Sequence, residues 1–114
     1  MIEIRRATAK DVESWYDGPP AYTMKGYVIV EDESILAICG VFWCEGKKYI
    51  FSEMKEQMVR YRRAIIKAAR KVMADVEGET VYAVATEGIE SAPRFIEHYG
   101  FECIDPATKL YRRH

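Results

Sequence analysis

The chain has 114 residues, of which 49% are hydrophobic and 31% charged, and its net charge is −1. That size suits a single domain over residues 1–114 with its own core, and the composition excludes a disordered or low-complexity chain. A near-zero net charge excludes a molecule that binds polyanions through its overall field.

Ile2 and Ile4 alternate with charged residues and predict a first strand. Thr8 is placed to cap a following helix, with Asp11 three residues on completing a capping box. Val12, Trp15 and Tyr16 share one face of that helix, and Asp17-Gly18-Pro19-Pro20 ends it. Ala21 to Lys25 reads as a loop. Gly26 to Val30 is a strand by its β-branched and aromatic content. After the polar turn Glu31–Ser34, Ile35 to Cys44 is a long apolar strand buried on both faces, in which Gly40 suggests a bulge. Glu45–Lys48 is a second turn, and Tyr49-Ile50-Phe51 a third strand of an antiparallel meander.

Gln57 to Val76 predicts one long helix, with Met58, Tyr61, Ile65, Ala69, Val72 and Val76 on a single stripe. Gly78 ends it. Thr80 to Thr86 is the next strand, parallel to the Tyr49 strand because a helix separates them. Ser91 to Tyr99 is a shorter helix, with Pro93 in its first turn and Gly100 as its left-handed cap. Phe101–Ile104 and Leu110-Tyr111 close the chain, with Asp105-Pro106 turning between them. The order is β-α-β-β-β-α-β-α-β-β, an α+β arrangement around one mixed, mostly antiparallel sheet.

A strand running through a turn into a helix is a frame that holds phosphate at the helix N-terminus. Here that turn has no glycine, and arginines stand in it. Between Lys55 and Lys71 there are seven basic residues (Lys55, Arg60, Arg62, Arg63, Lys67, Arg70, Lys71) against one acid, Glu56. A local anion site on an otherwise acidic body is one reading, and a solvated helix face is the other. The cysteines, Cys39, Cys44 and Cys103, form no CxxC pair. With no signal peptide and no apolar run of membrane-spanning length, they lead to the expectation of free thiols in a cytoplasmic protein away from the membrane. His98 and His114 lack partners at ligand spacing, so no metal is expected.

Three passages resemble the GCN5-related N-acetyltransferase superfamily (GNAT). They are Met1–Val12, Ala64-Ile65-Ile66-Lys67-Ala68-Ala69, and Arg94–Glu102 with its Tyr99-Gly100-Phe101 ending. The resemblance implies a GNAT-like sheet with helices on both faces. It also implies acyl transfer from acetyl-CoA to an amine on a small molecule or peptide. It places the cofactor between the strands around Ile50 and Val84. The pantetheine arm would pair with the fourth strand at Phe51, Ser52 and Met54, and the pyrophosphate would lie on the turn at Gln57, Arg60, Arg62 and Arg63. Gln57 matches the family turn. Arg60 and Arg62 stand at its glycine positions, where a side chain obstructs close backbone approach. Ile96 stands at the position of the family's tyrosine acid. The chain also has one helix where the family has more between its first two strands.

The implied reaction needs a base to deprotonate an ammonium. Glu53, just past Phe51, is the candidate, acting directly or through a water; a carboxylate stabilising the following helix is the competing reading. Glu31 and Asp32 read as solvated turn residues. His98 suits a helix C-terminus, Tyr99 a packing position, and Ser91 and Cys103 have no clear chemical setting. The alternative to an enzyme is a catalytically inactive GNAT-fold binding or structural protein, since short, glycine-poor versions of the fold are similar to small phage-encoded proteins. In that alternative the basic helix would contact a partner protein or a nucleic acid; nucleic acid is the less expected partner, and specific RNA reading is not expected because no aromatic platform is interleaved with the arginines.

Overall fold

The structure, a computed structural model, describes residues 2–20, 22–84 and 96–114. Its strands are β1 (Ile2–Arg6), β2 (Thr23–Glu31), β3 (Ser34–Cys44), β4 (Lys47–Met54), β5 (Val81–Val84), β6 (Glu102–Asp105) and β7 (Leu110–Arg113). Helix α1 is Ala9–Tyr16 and helix α2 is Arg62–Asp75, the latter preceded by a 3₁₀ turn over Glu56–Arg60. The strands form one sheet in the order β1-β2-β3-β4-β5-β7-β6. Every neighbouring pair is antiparallel except β4 and β5.

Strand alternation divides the apolar residues between two faces. Tyr27 and Ile29 of β2, Ala37, Cys39 and Val41 of β3, and Val81 and Ala83 of β5 face α2. They bury its Ala68, Val72 and Val76 together with Phe101 and Tyr111. Val28, Val30 and Ile38 point the other way and bury Val12 of α1, with Trp15, Tyr16 and Phe51 packed beside them. The expectation that β3 is buried on both faces holds from Leu36 to Val41.

Helix α1 starts where local chemistry says it should. The Thr8 hydroxyl accepts from the Asp11 N–H, and an Asp11 carboxylate oxygen accepts from the Thr8 N–H. Arg5 grips the same carboxylate at 2.5 and 3.0 Å. The Arg5 guanidinium, helped by Thr8, lowers the pKa of the buried Asp11 carboxyl to about 2. At the other end of the chain, Gly100 at φ +88° closes a helical turn. Its N–H donates to Glu97 O and that of Phe101 to Ile96 O, the Schellman pattern.

The turns expected over Glu31–Ser34 and Glu45–Lys48 are tighter, because Glu31 ends β2, Ser34 begins β3 and Lys47 begins β4. Four further expectations need correction. First, Thr23–Lys25 is not loop but the start of β2, paired with Trp43, Phe42 and Val41. Second, Gly40 makes no bulge. It lies opposite Gly26, and a Cβ on either would come within 2.0–2.1 Å of a carbonyl oxygen on the facing strand; the register shift lies at Ile29/Val30 instead. Third, the helix expected from Gln57 is broken at Tyr61, whose φ of −109° and ψ of 52° separate the 3₁₀ turn from α2. Fourth, Asp105 ends β6 rather than lying in the turn. Ser91 to Phe95, with the expected first-turn Pro93, and the end of the Thr80–Thr86 strand lie outside the described residues.

Asp11→Asn should lower stability at neutral pH. The lowered carboxyl corresponds to about 2 kcal/mol, reduced to about 1 kcal/mol because Arg5 remains 40% exposed. Its contribution is full above the ordinary carboxylate range and is lost as pH falls toward 2. Urea unfolding of both proteins should therefore give a gap that closes between pH 4 and pH 2, and a pH-independent gap would contradict this.

Candidate functional site

β4 is paired with β3 from Lys47 to Met54. With β5 it shares one register position, Tyr49 opposite Tyr82. Beyond that point each strand is tied to its other neighbour. The Lys55 N–H donates to Leu36 O at 2.8 Å, holding the end of β4 against β3. All of β5, Val81 to Val84, is paired with β7 on its far side. Among the described residues, Phe51 to Met54 thus face a gap in the pairing, where no β5 residue bonds them. Met54 and Val84, 44% and 56% exposed, stand at this end of the two strands.

The head of α2 begins where β4 ends. Met58 of the 3₁₀ turn is fully buried and anchors it. Tyr61 then directs its phenol to Glu31 at the end of β2, donating at 2.6 Å. That bond, followed by burial, raises the pKa of the phenol against the opposing pull of Arg60. Tyr61 thus packs toward the core and β2, on the side of β4 opposite β5. No side chain caps α2, and its first ladder bond runs from Ile65 N–H to Tyr61 O at 3.1 Å. The N–H groups of Arg62, Arg63 and Ala64 belong to the first turn, which has no acceptors within a helix. Gln57, Arg60, Arg62 and Arg63 are exposed around this turn.

Across the sheet, under α1, lies a cavity of about 510 Å³ lined by Val12, Glu13, Tyr22, Ile38 and Phe51. Gly26 is part of its lining. It sits in the row that runs through Gly40 to Phe51, and its missing side chain helps to hollow the sheet surface there. Glu53, on the same face as Phe51, accepts a hydrogen bond from the phenol of Tyr16, the last residue of α1. Beside it, the Lys55 ammonium lies 5.9 Å from the Trp15 ring centre. Burial first, and then the Glu53 carboxylate, push the Tyr16 pKa strongly up.

The structure gathers Phe51, Ser52, Glu53 and Met54 at one end of β4, with Gln57, Arg60, Arg62 and Arg63 on the turn that follows. Ile96 packs against the α2-side core. Glu31 serves Tyr61, and the exposed His98 meets the Tyr99 ring edge-on at 5.2 Å. Tyr16, Tyr61 and the Gly26–Gly40 pair escaped the sequence analysis, because each acts on a partner far along the chain. Among the described residues, no acidic, histidine or cysteine cluster could hold a metal, and no helix is long and apolar enough to cross a membrane.

No family model and no curated protein matches this chain. Two solved structures share its fold, and both are N-acetyltransferases by description. One is the ribosomal-protein-S18-alanine N-acetyltransferase from Escherichia coli, with a TM-score of 0.65 and 10% identity over 99% of this chain and 93% of that one. The other is the putative N-acetyl transferase YhhK from E. coli bound to coenzyme A, with a TM-score of 0.59 and 16% identity over 99% and 98%. The chain has the GNAT fold: a seven-stranded, mostly antiparallel sheet with helices on both faces.

Gly26→Ala should cost at least about 3 kcal/mol in urea unfolding, since the new methyl meets main chain and has no room to yield. A loss under about 1 kcal/mol would show that the two strands do not approach as closely as described.

Proposed function

We propose that the protein is an acyl-coenzyme A-dependent N-acyltransferase whose pyrophosphate turn works without glycine. The observation that carries this reading is the adjacency, among the described residues, of a β4 end without β5 pairing and an α2 head without a side-chain cap. The first suits the amide groups of a pantetheine arm, which would bond the backbone from Phe51 to Met54. The second offers the Arg62, Arg63 and Ala64 amides and a favourable helix dipole to a pyrophosphate. Gln57, Arg60, Arg62 and Arg63 would add side-chain donors in place of the close approach that glycine allows. The fit is favourable because Tyr61 directs its phenol to Glu31, leaving the rest of the turn to exposed groups. A neighbour of the same fold is described as bound to coenzyme A, which supports acetyl-CoA as the donor.

When bound, the donor supplies an activated acyl carbon in its thioester. Glu53 takes a proton from the incoming ammonium, directly or through a water. The cavity under α1 has Glu13 and Phe51 in its walls and lies on the face that carries Glu53, so it suits an amine of a small molecule or peptide. The S18 neighbour, described as acting on an alanine of a protein, supports an amine acceptor. Three free cysteines, Cys39, Cys44 and Cys103, fit a cytoplasmic setting.

Calorimetry with acetyl-CoA tests the turn. Arg62→Pro removes an amide at the first helical position, where proline is tolerated, and Arg62→Ala removes only the side chain. Both should weaken binding, with the proline variant about tenfold weaker than the alanine variant, the value of one charge-assisted hydrogen bond. No heat from the wild type at millimolar ligand would favour a GNAT-fold binding protein without transferase activity.

A further inference from the structure

We propose that Tyr16 and Glu53 work as one acid–base pair, so that the proton donor of the reaction comes from the first helix. The inference rests on the transferase reading above and adds a residue that the resemblance did not supply.

The phenol and the carboxylate come from different elements and meet on the α1 face of the sheet. Tyr16 is held there from both directions. Asp17 takes a left-handed φ of 56° and closes α1 through its N–H to Glu13 O. Trp15, one residue back, lies beside Lys55, two residues past Glu53. The remaining phenols with defined bonds are committed elsewhere: Tyr27 donates to Asp75 and Tyr61 to Glu31. Tyr111 is in the α2-side core, and Tyr99 and Ile96 pack against that core. A donor from the last helix would thus approach from the wrong face for Glu53, whereas Tyr16 already touches it. Among the described residues, the charged groups nearest along the chain are Lys55, two residues past Glu53, and Glu13 and Asp17, on α1 and its cap. Ile38, opposite Glu53 on β3, is apolar.

Burial and the Glu53 carboxylate raise the phenol and keep it protonated at rest; once Glu53 takes up the substrate proton, the carboxylate's share of that shift is removed and the phenol becomes a stronger acid when the sulfur needs a proton. The protons then balance. Glu53 takes one from the substrate ammonium, and the freed nitrogen lone pair forms the bond to the acyl carbon. As the carbon–sulfur bond breaks, its electron pair stays on sulfur, and Tyr16 gives sulfur its phenolic proton. Tyr16 recovers a proton from Glu53, and the second nitrogen proton leaves to water. Both side chains end as they began.

The test compares wild type, Tyr16→Phe and Glu53→Gln. Tyr16→Phe should lower kcat for amine acylation about a hundredfold, the scale of one acid–base group. Its KM for acetyl-CoA and its calorimetric affinity for coenzyme A should stay within twofold. A second readout needs no substrate: the Tyr16 ring-carbon NMR signal should titrate above the usual tyrosine value of about 10 and fall toward it in Glu53→Gln. A merely structural clasp would lower the melting temperature of Tyr16→Phe and leave kcat intact, and this would overturn the pair while leaving the transferase standing. A wild type that binds coenzyme A but acylates no amine from a panel of primary amines and peptides would overturn both.

Discussion

Among the described residues, the fourth strand is paired along its whole length with one neighbour and at one register position with the other. Everything proposed for this protein depends on that inequality. A sheet gains by pairing every edge, and an unpaired run of N–H and C=O groups inside a sheet is a cost. Here the cost is imposed by ties on both sides, Lys55 to Leu36 and β5 to β7. Helix α2 reinforces it, because it is fastened to β2 at both ends. Tyr61 at its head donates to Glu31, and Tyr27 donates to Asp75 at its tail at 2.7 Å. Arg6 adds a 3.2 Å pair with Asp75 and stacks on the Tyr27 ring. Together they seat the helix away from the gap.

The absence of glycine in the turn has a structural consequence. With Arg60, Tyr61 and Arg62 in sequence, the chain does not wind directly from strand into helix. It makes a 3₁₀ turn pinned by Met58, spends Tyr61 on a non-helical joint, and begins α2 at Arg62. The uncapped amides are thereby moved to Arg62–Ala64, with arginine side chains around them. Under the proposed function, anion recognition would shift in kind, from main chain alone toward main chain plus guanidinium, which is planar, always charged and suited to paired oxygens. Glycine is used instead in β2 and β3, where Gly26 and Gly40 let two strands approach and Gly26 forms part of the cavity floor.

What was legible in the sequence was local. The Thr8–Asp11 box and the Gly100 cap each involve residues within a few positions of one another, and both stand as read. The periodicity of α2 and the apolar run of β3 gave the layers. Contacts between distant residues were not legible. Tyr61 looked like part of a helical stripe because its partner Glu31 is 30 residues away. Gly40 looked like a bulge because the reason for it, Gly26, lies on another strand. Tyr16 looked like a packing residue of an amphipathic helix, and its partner Glu53 is 37 residues on. The start of β2 was missed because Thr23–Lys25 has weak strand character of its own and is held by pairing to Trp43–Val41.

The most direct measurement is an amide-resolved NMR titration with coenzyme A. The account predicts that the backbone N–H signals of Phe51 to Met54 and of Arg62 to Ala64 move together and saturate with one affinity, while those of β1 stay in place. If these amides are unmoved at millimolar ligand, the gap is not a cofactor cleft, and the fold remains without the function proposed for it.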